Sequence, residues 1–301
     1  MKVKLWGVRG SIASPGPETA KYGGNTSCYE VINDNGDRII MDAGTGIRKL
    51  GLELMKNLPV KCTILISHTH WDHIQGFPFF VPIFIPGNEL TIYAPKQFER
   101  SLESVMTAQM DYSVFPVRTA ELCADIRYVN INEGPVEGIE GFDVHAQFVC
   151  HPVTAAGYKV IADGKSVVYT GDHEKFFDQY HKGIPEEDID PDMKEQMQQI
   201  VDAQNNRVVE FCRDVDALIV DAMYTEEEYP MKIGWGHSTI EMDLQLAVEA
   251  NVKNIVLTHH EPIRTDDQLD EIQVWARKML DEMGGKDIKL HIAQEGTEIE
   301  L

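Results

Sequence analysis

Basic residues are scarce in this chain. The 27 Lys and Arg stand against 49 Asp and Glu, for a net charge of −22. Proteins hold long polyanions mainly by neutralising phosphates with Lys and Arg, and a surface of this sign opposes that. Long nucleic acid is therefore not an expected partner. Cysteine is scarce too: five, an odd number, scattered through 301 residues. That usage excludes a disulfide scaffold and suits a reducing, cytoplasmic setting. No apolar run reaches the length of a membrane span; the run at 77–85 is broken by Pro78 and Pro82. No leader is read at the start, where Met1-Lys2-Val3-Lys4-Leu5-Trp6 has the pattern of a first strand. No Pro/Ser-rich linker, repeat or low-complexity tract interrupts the chain, so one domain is expected over 1–301.

What is present is concentrated in one place. Ser67-His68-Thr69-His70-Trp71-Asp72-His73 packs three imidazoles and a carboxylate into one turn between an apolar strand at 62–66 and Gly76. A core tolerates such a group only if every polar atom is paired. Neutral imidazole and carboxylate are the donors that zinc and similar divalent ions prefer. The spacing is too tight for one helix face and too rich for a single tetrahedral site. It suits a loop that feeds two adjacent ions. Further donors then have to come from elsewhere. His151, Asp172 and His259 each follow a short β-like segment, at 144–150, 166–170 and 254–258, and strand exits are where α/β folds gather function.

With these motifs in place, the chain resembles the metallo-β-lactamase superfamily. The likeness rests on His68-Thr69-His70-Trp71-Asp72-His73, His151, Thr170-Gly171-Asp172 and Leu257-Thr258-His259. It implies that His68, His70 and His151 hold one metal, that Asp72, His73 and His259 hold the second, and that Asp172 bridges. The resemblance points to His259, not its neighbour His260, because the family's ligand comes first after the strand. Zinc is the expected ion, with manganese or iron(II) as alternatives. The motifs Asp221-Ala222-Met223-Tyr224 and Gly236-His237-Ser238-Thr239 resemble the phosphodiesterase branch, which includes ribonuclease Z and cyclic-nucleotide phosphodiesterases. In that branch an acidic residue and a histidine at these places form a dyad beside the scissile phosphate. The resemblance thus names His237 and Asp221, with Asp72, as catalytic. Asp42, before a Gly-rich turn, either supports the metal-loop histidines as the family implies or simply enters a helix.

The implied reaction is hydrolysis of a small or cyclic nucleotide-type phosphodiester by a hydroxide shared between two ions, since such ions lower the pKa of bound water towards about 7. Hydrolysis of an ester, lactone or thioester by the same centre is the second reading, and a ribonuclease Z-like RNA endonuclease another. A metal-stabilised ligand-binding or sensor protein is the non-enzyme alternative.

The expected fold is α+β, an αββα sandwich of two facing mixed sheets with helices outside. Thr45 is expected to cap a helix reaching about Asn57, and helices are expected at 96–110 and 266–283, the last with an apolar stripe ending at Gly284. Ser238-Thr239-Ile240-Glu241 reads as a capping box. It would place His237 just before a helix whose free N–H groups favour phosphate and whose positive end depresses the imidazole pKa. An acidic, helix-prone insertion at 174–211 would serve as a lid, a homodimer surface, a substrate clamp or a solvated decoration.

Overall fold

The structure is a computed structural model and describes residues 1–97, 100–185 and 188–301. The first half of the chain builds β1 (Lys2–Gly7), β2 (Cys28–Ile32), β3 (Arg38–Met41), β4 (Lys61–Leu65), β5 (Glu89–Pro95) and β6 (Asp125–Ile131). The second half builds β7 (Gly134–Pro135), β8 (Asp143–Val149), β9 (Ala155–Ala162), β10 (Lys165–Tyr169), β11 (Ala217–Asp221), β12 (Asn254–Thr258) and β13 (Lys289–Ile292), before β14 (Glu298–Glu300) returns to the first sheet. Two seven-stranded sheets result, in the orders β14-β1-β2-β3-β4-β5-β6 and β13-β12-β11-β10-β9-β8-β7. Both are mixed. β3 to β6 run parallel in one, β10 to β13 run parallel in the other, and the remaining pairs are antiparallel.

Period-two alternation explains the layering. In β11, Ala217 and Ile219 face the core between the sheets, while Leu218 and Val220 face the helices outside. The inner core joins Val3, Leu5, Val31 and Ile39 of the first sheet to Tyr158, Val160, Val167 and Val256 of the second. Outside the first sheet lie α1 (Ile47–Leu54), the short α2 (Trp71–Ile74) and α3 (Leu102–Ala108). Outside the second lie α4 (Pro191–Cys212), α5 (Ile240–Glu249) and α6 (Asp266–Glu282). The αββα sandwich expected from the sequence is the observed fold.

Several local expectations are corrected. Thr45 does not cap α1; Gly46 precedes the helix without a side-chain cap, and the Thr45 hydroxyl accepts the Thr26 N–H instead. The helix expected at 96–110 is shorter, with Ser101 as its cap, and positions 98 and 99 lie outside the described residues. The cap of α5 is Thr239, not Ser238, its hydroxyl accepting the Met242 N–H. The Ile240 N–H is used as well, donating to the Tyr224 carbonyl. Two of the N–H groups at this helix end, those of Ile240 and Met242, are thus engaged within the protein. In the 174–211 segment, where positions 186 and 187 lie outside the described residues, α4 packs on the second sheet's outer core through Val208 and Cys212. Asn205 of α4 bonds both the N–H and the carbonyl of Phe176, which ties the preceding loop down.

Candidate metal centre

Strand direction brings the candidate donors to one edge. His68 leaves β4, His151 leaves β8, Asp172 leaves β10, Asp221 ends β11 and His259 leaves β12. Two close groups of four donors form, beside a smaller one of Asp221, His237 and His259. His68, His70, His151 and Asp172 make one; Asp72, His73, Asp172 and His259 make the other, with Asp172 common to both. His151 Nε2 lies 3.0 Å from His70 Nδ1. Asp172 reaches His68 Nε2 at 3.6 Å through Oδ2, and His73 Nε2 at 3.1 Å and His259 Nδ1 at 3.3 Å through Oδ1. Asp72 Oδ2 is 3.3 Å from His73 Nε2.

The backbone is shaped for this convergence. Gly171, between Thr170 and the shared Asp172, has φ +66°, and a Cβ there would sit 2.8 Å from Ser67 Cβ. Only glycine meets both demands cheaply. His259 itself has φ 56°, an uncommon left-handed conformation for a side-chain-bearing residue. His260 turns away: its Nε2 donates to the Ala293 carbonyl at 2.8 Å.

The residues present fit a pair of divalent cations. His68 Nε2, His73 Nε2, His259 Nε2 and Asp172 Oδ1 are all buried without a hydrogen-bond partner. Burying so many unpaired polar atoms is costly unless an electron-pair acceptor sits among them. Burial, then neighbouring imidazoles, hold His68 and His259 well below the ordinary histidine range, and burial brings His151 to about 3. These rings are neutral, the form that binds metal. His73 differs: burial would lower it, but Asp172, Asp72 and Asp42 outweigh that and raise it. Burial lifts the shared Asp172 to about 7 against the pull of His73. Each counter-charge points to a site built for added positive charge.

An outer ring holds these donors. Asp42, with φ 61°, accepts from His73 Nδ1 at 2.7 Å, the Tyr169 hydroxyl at 2.6 Å, and both the N–H and hydroxyl of Ser67. Of its two sequence readings, the support of the metal loop is the one its contacts describe. Such a carboxylate fixes the imidazole tautomer. The Ser11 N–H donates to Asp72 Oδ2 at 2.8 Å. His151 Nδ1 donates to the Gly236 carbonyl at 2.9 Å.

Beside the cluster, His237 Nδ1 donates to Asp221 Oδ2 at 2.8 Å. The His237 ring stacks on His259, with centroids 5.1 Å apart. Burial lowers the His237 pKa, opposed by Asp172 and Asp72. The direction is the one expected from the sequence, with burial as its first cause. Burial also lifts Asp221 well above the usual carboxylate range.

One carboxylate at the site went unnoticed in the sequence. Glu174 is buried and accepts from the Tyr229 hydroxyl at 2.6 Å, the Gly234 N–H at 2.7 Å and the Gly236 N–H at 2.9 Å. It pins the loop that carries the His151 acceptor and leads into His237. Its only sequence signal is its place two residues after Asp172.

Residues 37–189 match the family model described as a beta-lactamase superfamily domain. The chain belongs to that superfamily. Ribonuclease Z of Archaeoglobus fulgidus is 28% identical over 260 residues, covering 74% of this chain and 78% of that one. The Bacillus subtilis metallo-beta-lactamase fold protein YhfI superposes with a TM-score of 0.67 at 18% identity over 99% of both chains. A diphosphatase from the PhnP family superposes with a TM-score of 0.64 at 18% identity, over 100% of this chain and 97% of that one. Within that superfamily, ribonucleases Z are distant relatives of this chain. With its buried His/Asp cluster, it is a metal-dependent hydrolase of that superfamily. Among the described residues, no helix is long and apolar enough to cross a membrane.

Proposed function

We propose that this metallo-β-lactamase superfamily member is a binuclear metal-dependent phosphodiesterase acting on a small or cyclic nucleotide-type phosphodiester. The observation that carries the reading is the Asp221–His237 pair, 2.8 Å apart and stacked against the donor set. His68, His70 and His151 would hold one ion, Asp72, His73 and His259 the other, and Asp172 both. When bound, the two ions supply Lewis acidity and a water acidified to near neutral pH.

The protein's own groups then do the following. The Ser11 N–H holds the Asp72 carboxylate in place beside His73. Asp42 keeps the His73 proton on Nδ1, which leaves Nε2 for the metal side. Asp221 likewise keeps a proton on His237 Nδ1 and leaves Nε2 outside that bond. As the P–O bond to the leaving group breaks, His237 Nε2–H gives its proton to the departing oxygen, and the ring is left neutral with Nδ1–H still on Asp221. Asp221 stabilises the imidazolium before transfer, against the burial that disfavours it. Zinc is the ion that this donor chemistry fits first, with manganese or iron(II) also accommodated.

Replacing His237 with Ala is expected to lower kcat on a diester with an alkyl leaving group by about 10²–10⁴-fold, and less on a p-nitrophenyl diester, whose leaving group needs little help. Elemental analysis should show metal retained. Equal turnover of wild type and variant on the alkyl diester would remove His237 from the mechanism. Running p-nitrophenyl acetate in parallel tests the ester reading, in which the dyad has no such role. The name ribonuclease Z carried by relatives supports RNA cleavage as a second reading. The net charge of −22 weighs against it, and a structured RNA substrate in the same assay decides.

A further inference from the structure

The chain has four tryptophans, and two of them are largely solvent-exposed. Trp6 is buried and Trp275 half-buried. The exposed pair flanks the candidate centre: Trp71, 79% exposed, stands between His70 and Asp72, and Trp235, 56% exposed, stands two residues before His237. An indole left exposed next to a candidate centre offers a flat face to a ligand.

Trp235 is also held in place. The N–H groups of Gly234 and Gly236, on either side of it, both donate to the buried Glu174 carboxylate, at 2.7 and 2.9 Å. Its own N–H donates to the Lys232 carbonyl at 2.9 Å. The Lys232 ammonium lies 4.2 Å from the Trp235 ring centroid and 5.5 Å from that of Tyr224. Tyr224 in turn meets His237 edge-on, with centroids 6.1 Å apart. Trp235 is thus linked to the dyad through one cation and one buried ring. Among the described residues, no carboxylate lies within ion-pair distance of Lys232, although acidic residues outnumber basic ones 49 to 27. A held indole with an ammonium over one face, and no carboxylate paired to that ammonium among the described residues, is suited to a flat heterocycle that carries an anionic group.

We propose that Trp235, with Lys232 over one face, offers its other face as a stacking platform for the nucleobase of a nucleotide phosphodiester. The platform rests on the phosphodiesterase reading and deepens it by naming the part of the substrate that is recognised. Base–aromatic stacking is tolerant of base identity, so the site selects nucleotides as a class.

The test compares two esters with the same charge and leaving group, the p-nitrophenyl ester of thymidine 5′-monophosphate and methyl p-nitrophenyl phosphate. Metal-replete wild type should favour the thymidine ester in kcat/KM. Trp235→Ala should lower the ratio of the two kcat/KM values about tenfold, mainly through KM of the thymidine ester, and Trp235→Phe should retain most of it. If Trp235→Ala does not fold, Trp235→Leu replaces it with the same expectation. An unchanged ratio in a variant with full metal content overturns the platform. So does a variant whose sole change is loss of a dimer, which would make the indole a contact between copies. Wild type that cleaves both esters equally well overturns the platform and leaves the phosphodiesterase reading standing; wild type that cleaves neither removes both.

Discussion

Asp42 illustrates how much of a metal site lies behind its ligands. Its carboxylate draws in Ser67, His73 and Tyr169, residues from different parts of the chain, and so fixes both the loop and the ring that it carries. Replacing it with Asn keeps the shape but puts an N–H₂ group where donors now converge. Metal affinity, measured by chelator competition, should fall about 10–100-fold; an unaltered affinity would reduce Asp42 to a turn residue. The ligands themselves were readable because their chemistry is local. Imidazoles and a carboxylate crowded into residues 68–73 point to metal without help from the rest of the chain. Asp42 was readable only as a choice between two roles, because nothing near it in the sequence reveals that Tyr169 would come to lie 2.6 Å away.

Among the elements, the loop between β11 and α5 matters most. It contains no long regular helix or strand, and its order comes from outside: Arg264 pairs with Glu228, Glu241 accepts the Glu226 N–H, and the Glu174 carboxylate satisfies three donors next to the site. Glu174→Gln would oppose an amide N–H₂ to at least one of these donors. A buried donor left unpaired costs about 1–3 kcal/mol, enough to let the loop drift and release both the His151 acceptor and the approach to His237. Turnover should fall about tenfold by the convention of 1.4 kcal/mol per decade, with only a small change in melting temperature, since the two cores are untouched. Stopped-assay kinetics beside a thermal melt check this, and normal turnover would show that the loop stands without Glu174. The strand exits and α6 were legible as elements because two-residue and helical periodicities are intrinsic to the chain; Leu269, Ala276 and Leu280 do form the buried stripe of α6. The start of α5 lies one residue from its expected place because Ser238 and Thr239 have nearly the same capping chemistry, and only the position of Tyr224, whose carbonyl takes the Ile240 N–H, separates them.

At the scale of the whole molecule, the donor set is a fastener. His68 belongs to the first sheet, while His151, Asp172 and His259 belong to the second. An ion bound by both sheets stabilises the native state alone, by RT ln(1 + c/Kd) for free ion at concentration c. Chelation should therefore lower the melting temperature of wild type and restoration of zinc should raise it again. Asp172→Ala should show little response to either, because Asp172 is shared by both groups. A melt indifferent to chelator in wild type would mean that the two sheets are joined by the apolar core without help from metal.

The sequence by itself determined the kinds of donor, their position at strand exits, the layered alternation of the sheets and the acidic exterior. Each depends on residues near one another in the chain or on composition alone. Only the tertiary structure decided which oxygens and nitrogens meet, that His260 turns away while His259 turns in, and that Glu174 holds a loop some 60 residues further on. The physical reason is range. Periodicity and residue chemistry act over a few positions, whereas a hydrogen bond to a buried carboxylate is specified by whatever strand order and register carry to within about 3 Å of it.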